Sequence, residues 1–386
     1  MCRLSILVLP MALLSTNLRG GQNATASALS YVARGNEWIA KKDLRRAIAD
    51  FSLAIAFDEN LPAAWLNRGL ARIEARDLAG SISDLTRAIE LQPHDARAYS
   101  NRAAAWYLQG NLDRAIADCN HALEINPKSK EAYANRGIAR RDQGDLNSAV
   151  MDMDRAVSLD RRDFRMLVDR ATVWALRGDL DRAIADNSQA IQINPASVEA
   201  WNNRGLARRT QRDLAGALSD FSRALEIDSR ATDSWYNRGL TRYLKGDIDG
   251  AIADYTKAIS IAPDIANTYS DRGTARLVQL GMEGAIDNFN RVITVEPFLA
   301  HAYFSRAAAW SAKGDNDHAL ADYSETIRID PRYARAWAHR GLIQLQKGRA
   351  AQARSDFAEA IRLDRNLESW LGTELRKTVG EGVSRR

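Results

Sequence analysis

The sequence predicts an all-α fold, a solenoid of stacked antiparallel helix hairpins, and three observations carry that reading. A period of 34 residues runs without insertion or deletion from Ala28 to Leu367. Small and aromatic residues return on that period at helical spacing. Glycine, aspartate and proline return where helices would stop and start. An array of this kind grows by adding units, so a chain of 386 residues need not divide into two or three globular domains.

The N-terminus stands outside the array. Arg3 precedes the apolar run "LSILVLPMALL" at 4–14, which is too short to span a bilayer. The basic start, the short apolar core and Ala24-x-Ala26 predict an export signal at 1–26, cut after Ala26. The mature protein would then be periplasmic or extracellular; without such a signal it would be cytoplasmic. Cys2 precedes the apolar core, so the mature chain would keep only Cys119 and could form no internal disulfide.

The ten units are 28–61, 62–95, 96–129, 130–163, 164–197, 198–231, 232–265, 266–299, 300–333 and 334–367, with positions counted 1–34 in each. In the first half of a unit, position 4 is aromatic in nine cases, with Leu167 the exception, and position 8 is always Gly or Ala. Positions 4, 8 and 11 share one face of a helix A. Position 15 is Gly in six units, which suits a left-handed helix stop, and position 16 is Asp or Asn in eight, which suits the cap of a helix B. Position 20 is Ala in nine units and Ser81 in the second, and position 27 is Ala in eight, so helix B presents a matching small-residue face. Pro at position 32 in six units ends helix B. One hairpin cannot bury its apolar face alone, so neighbours must stack. After the array, residues 368–379 can form a capping helix with Trp370, Leu371 and Leu375 over the open end, and Gly380–Arg386 is expected to fray as a tail.

The aromatic, small, alanine and proline positions, repeated ten times, resemble the tetratricopeptide repeat family over 28–367. The resemblance implies a right-handed α–α superhelix. Its helices A would line a concave groove through positions 2, 5, 9, 12 and 13, and that groove would hold an extended polypeptide. One departure is systematic. The family usually has Leu at position 7, and this chain has Arg in all ten units.

That arginine lies between packing positions, so it is expected to be partly buried. An unpaired buried guanidinium costs several kcal/mol, and ten of them would exceed the ~5–15 kcal/mol that holds a typical domain folded. Position 23 is Asp in nine units, with Asn288 the exception, and supplies the natural partner. A structural ion-pair ladder is therefore expected: Arg68, Arg136, Arg204 and Arg238 with Asp84, Asp152, Asp220 and Asp254, the Asp coming either from the same unit or from the preceding helix B. Arg at position 11 reads as part of a solvated face.

Position 6 carries Asn67, Asn101, Asn135, Asn203 and Asn237. An amide donates and accepts, so a row of them could bond an extended backbone of any sequence. Leu70, Ile138, Leu206 and Leu240 at position 9 would add an apolar strip beside it. These nine residues are the expected peptide-binding groove. The family's three-unit carboxylate clamp does not fit, because Val32 and Asn101 stand where two of its cations belong.

Other chemistry is not indicated. The five His have no metal-ligand spacing to one another or to Cys, and no nucleophile elbow, P-loop or dinucleotide fingerprint occurs. The 54 basic and 49 acidic residues are interspersed, unlike a nucleic-acid footprint. The expectation is a non-enzymatic protein-interaction scaffold without cofactor, metal, small-molecule substrate, nucleic acid or membrane span. The alternative is an accessory subunit that docks by its outer surface onto an envelope enzyme or secretion complex.

Overall fold

The computed structural model describes residues 23–384, and among them there are 21 helices and no strand. The chain divides into two compact units between Gln211 and Arg212. The first holds five hairpins, from Asn23–Ala40 with Leu44–Phe57 to Phe164–Arg177 with Leu180–Ile193, and then the helix A Val198–Thr210. The second opens on the helix B Leu214–Ile227 and holds four hairpins, from Thr232–Lys245 with Ile248–Ile261 to Ala334–Gln346 with Ala350–Leu363. It closes on the helix Leu367–Ser384. The sixth repeat is thus shared between the units. No described helix is long and apolar enough to cross a membrane.

Local chemistry accounts for the hairpin. All ten position-15 residues have positive φ: six are Gly, and Lys42, Arg76, Arg212 and Leu280 take the same left-handed turn. At position 16 the side chains of Asp43, Asp77, Asn111, Asp145, Asp179, Asp213, Asp247 and Asp315 accept the backbone N–H three residues on, which caps helix B. Gly281 and Arg349 give no such cap.

Between the helices, position 8 must be small because position 24 fills the gap. A Cβ on Gly35 would stand 2.4 Å from the Phe51 ring, and one on Gly239 would stand 3.0 Å from Tyr255. Where position 8 is Ala103, position 24 shrinks to Cys119, which is fully buried and whose thiol is pushed up by that burial. The exchange is not strict, since Ala307 shares a buried cluster with the larger Tyr323 at the same two positions.

The described chain runs from Asn23 at one end, and its other end is more helical than expected. The first helix A starts at Asn23 and runs through Ala24–Ala26, and the Thr25 hydroxyl donates to Asp58 at 3.1 Å. The remainder of the expected signal, residues 1–22, lies outside the described residues. The last helix buries Leu367 and Leu371 against Ala338 and Ala360, with Trp370 half-buried beside them. It continues to Ser384 rather than ending at 379, because 367–384 contains no proline to interrupt it. The expected frayed tail is therefore helical as far as Ser384, and residues 385–386 lie outside the described residues.

Candidate functional site: an arginine ladder beside the face of helices A

Eight of the ten ladder arginines meet the Asp sixteen residues later in their own repeat. Arg34, Arg68, Arg102, Arg136, Arg170, Arg238, Arg306 and Arg340 each grip Asp50, Asp84, Asp118, Asp152, Asp186, Asp254, Asp322 and Asp356 with two N–H donors, at 2.6–2.9 Å. All eight carboxylates are buried. The forked bond from Arg34 holds the Asp50 carboxyl below its ordinary value. Arg204 lies in the first unit and Asp220 in the second, where it is buried.

A second contact escaped the sequence reading. The remaining Nη1 of each ladder arginine donates to position 25 of the preceding repeat. Its partners are Ser52, Thr86, Asn120, Asp154, Ser188, Ser222, Thr256, Asn290 and Ser324, at 2.6–3.2 Å. A guanidinium with both contacts, such as Arg68 or Arg238, therefore ties helix A to its own helix B and to the helix B before it. The signal was present: position 25 is a hydrogen-bonding residue in nine repeats and becomes Ala358 in the tenth, where no further ladder arginine follows. Arg34 has no preceding repeat, and its side chain is 52% exposed against 13% for Arg68.

The aromatic at position 4 lies under the same guanidinium, as in Trp65 with Arg68 at 4.9 Å and Trp235 with Arg238 at 4.7 Å. The indole N–H of Trp65, Trp201, Trp235 and Trp337 donates to a loop carbonyl six residues earlier. Arg170, beside Leu167 and thus without a ring, gains the Asp154 carboxylate instead.

The position-11 arginines are not a solvated stripe. Arg72, Arg140 and Arg242 donate to the second oxygen of Asp84, Asp152 and Asp254, each at 2.8 Å. Trp38 fills this role in the first repeat, through its indole N–H to Asp50 at 3.1 Å.

The expected groove is placed differently. Asn67 and Asn101 are fully buried, and Asn135 and Asn237 nearly so. The Asn67 amide donates to Asn36 in the preceding helix A at 3.0 Å, and that of Asn135 donates to the Ser100 carbonyl at 3.4 Å. Leu70 and Ile138 belong to the core. These residues bind neighbouring helices A to one another and line no open groove. Asn203 and Leu206 on the last helix of the first unit are half-buried, and Leu240 packs half-buried beside Tyr255. Open apolar surface on helix A lies instead at position 13, with Leu176 60% exposed, Leu244 47% and Val278 55%. Tyr243 and Leu277 stand half-buried next to the last two.

Two carboxyls among the position-6 residues are perturbed. Burial pushes the Asp169 carboxyl up to about 8, with the Glu199 charge adding to it and Arg141 opposing. Its Oδ2 has no hydrogen-bond partner among the described residues. Burial also raises Asp271, against the hydrogen bond donated by the Tyr236 hydroxyl at 2.8 Å. Among the described residues, no three His, Cys, Asp or Glu side chains converge as metal ligands.

Family profiles described as tetratricopeptide repeat or TPR repeat match residues 96–129, 135–198, 189–232, 232–265, 311–348 and 334–367. The crystal structure of MamA is 26% identical, covering 43% of this chain and 96% of that one, with a TM-score of 0.41. That of YrrB, described as a TPR protein with an unusual peptide-binding site, is 27% identical over 48% of this chain and 95% of that one, with a TM-score of 0.40. The Cut9–Hcn1 structure is 16% identical over 81% of this chain and 62% of that one, with a TM-score of 0.51, a likeness of fold. No curated protein matches the chain.

Proposed function

This chain belongs to the tetratricopeptide repeat family, and from that premise we propose that it is a non-enzymatic scaffold holding an extended segment of a partner polypeptide on the helix-A face of the second unit. The observation that carries this reading is the exposed pair Leu244 and Val278, backed by half-buried Tyr243 and Leu277, on helices A of consecutive repeats. Successive apolar side chains of an extended segment fit such a strip. Asn67 and Asn135 are committed to neighbouring helices and Asn237 is buried, so specificity in this reading rests on the strip rather than on the amides.

The second reading is docking by the outer surface, and Phe298, 77% exposed in the loop after a helix B, favours it. Affinity capture from the native cell extract, read by mass spectrometry, separates the two. The groove reading expects the main partner to be lost with the double substitution Leu244→Asp and Val278→Asp and kept with Phe298→Asp. The reverse pattern supports the outer surface. Export of the mature chain is also part of the proposal: the N-terminal sequence of the purified protein should begin at Ser27, and a start at Met1 would refute it.

A further inference from the structure

Arginine at position 11 normally stands between two carboxylates. In the second repeat Arg72 meets Asp84 at 2.8 Å and Asp77 at 3.3 Å, and its Nη1 also donates to the Gly80 carbonyl at 3.2 Å. In the seventh, Arg242 meets Asp254 at 2.8 Å and Asp247 at 3.5 Å and donates to Gly250 at 3.3 Å. The ladder arginines Arg68 and Arg238 share the same Asp84 and Asp254. Two guanidiniums and two carboxylates thus form a closed, neutral cluster.

The eighth repeat keeps both arginines and loses both acids. Position 23 is Asn288 and position 16 is Gly281. Arg276 still reaches the equivalent backbone carbonyl, of Gly284, at 3.0 Å. Arg272 still forks onto position 23, but both bonds end on one amide oxygen of Asn288, at 3.1 and 2.8 Å, and its third goes to Thr256 at 3.1 Å. The Asn288 Nδ2 turns back to Gly284 at 2.7 Å. Of the other acids on this helix B, Glu283 is turned to Lys313 at 3.3 Å and Asp287 is exposed. Both arginines remain partly accessible.

We propose that Arg276, beside the charge of Arg272, forms a carboxylate-binding subsite, which an acidic side chain of a partner polypeptide fills where the position-16 aspartate is missing, Asn288 keeping the position-23 place. The pose of the guanidiniums is the one their sister repeats use to hold carboxylate, so the site is organised before the ligand arrives. The charge state agrees. In Arg102, Arg136, Arg170 and Arg306, burial lowers the guanidinium but the Asp partner more than offsets it, whereas Arg272 is lowered by burial and then by Arg276. Only the source of the carboxylate rests on the scaffold reading above.

Fluorescence anisotropy of a labelled hexaglutamate peptide on the full chain tests the subsite. Saturable binding is expected, with none for hexaglutamine. Asn288→Asp returns a carboxylate to the cluster, so it should weaken binding by at least about tenfold while raising the melting temperature, and Arg276→Gln should weaken it by a similar factor. Lys245→Gln removes one positive charge elsewhere in the unit and should leave affinity within about twofold. Absence of saturable binding, wild-type affinity in both site variants, or equal loss in Lys245→Gln overturns the proposal. Tighter binding of inorganic phosphate than of hexaglutamate would overturn the carboxylate assignment. The uncharged Leu244→Ser and Val278→Ser protein should still bind hexaglutamate, so a failure of the groove reading leaves this result standing.

Discussion

Repeats seven and eight are consecutive in the second unit, and their helices A end alike at Arg-Gly-x-x-Arg, yet they spend their charges differently. In repeat seven Arg238 and Arg242 close on Asp254 and Asp247, and Gly246 makes the left-handed turn. In repeat eight Asn288 and Gly281 replace the acids, and Leu280, 76% exposed, makes the turn at φ 62°. The difference teaches that the hairpin does not need its ion pair to form. Apolar interlocking of position 8 with position 24, here Gly273 against Phe289, shapes both repeats. The pair neutralises a cation that the packing has already buried.

Five variants break or sharpen this contrast. Asp254→Ala strands Arg238 and Arg242 and should cost about 3 kcal/mol in urea denaturation, against about 1 kcal/mol for Asn288→Ala. Equal losses would mean the carboxylate adds nothing that the amide lacks. The same question can be put to position 6, where Asp169 replaces the usual Asn. Asp169 is an acid whose folded-state pKa is raised, so the folded chain holds its proton more tightly than the unfolded chain. Its unfavourable contribution is absent below about pH 4, grows as pH rises toward about 8, and is level above that. Asp169→Asn should therefore stabilise the protein by about 2 kcal/mol at pH 9 and not at all at pH 3.5; a gain of the same size at both would show that the carboxyl is not protonated by burial. Asn288→Asp should add about 1 kcal/mol near neutral pH, seen as a higher urea midpoint at unchanged slope. Smallest is Leu280→Gly, expected to stabilise by about 0.5 kcal/mol through relief of the left-handed backbone; a loss would show that the Leu280 side chain packs usefully.

The hairpins were legible in the sequence because their causes are local. A left-handed glycine, an aspartate cap and a small residue every 34 act within one or two turns of the chain. The partner of Arg68 or Arg136 was legible as a residue type, since Asp84 and Asp152 recur in step. Whether it came from the same repeat was not, because residues that recur on one period stay in step whichever repeat supplies the partner. The position-25 contact left a pattern, polar through nine repeats and Ala358 in the last, which reads as a bond only once the geometry of Arg68 with Ser52 is in view. The Asn row misled for a simple reason. An amide that bonds a ligand and one that bonds the next helix look alike as letters, and Asn67 meets Asn36 across 31 residues.

By itself the sequence determined the all-α class, the hairpin and its length, since each follows from interactions between residues close in the chain. Tertiary structure decided which faces stayed open. Stacking of the repeats buries Asn67, Asn101, Leu70 and Ile138, and exposure lies one turn on, at Leu244 and Val278. Burial depends on the distance between helices, and no single repeat contains that distance.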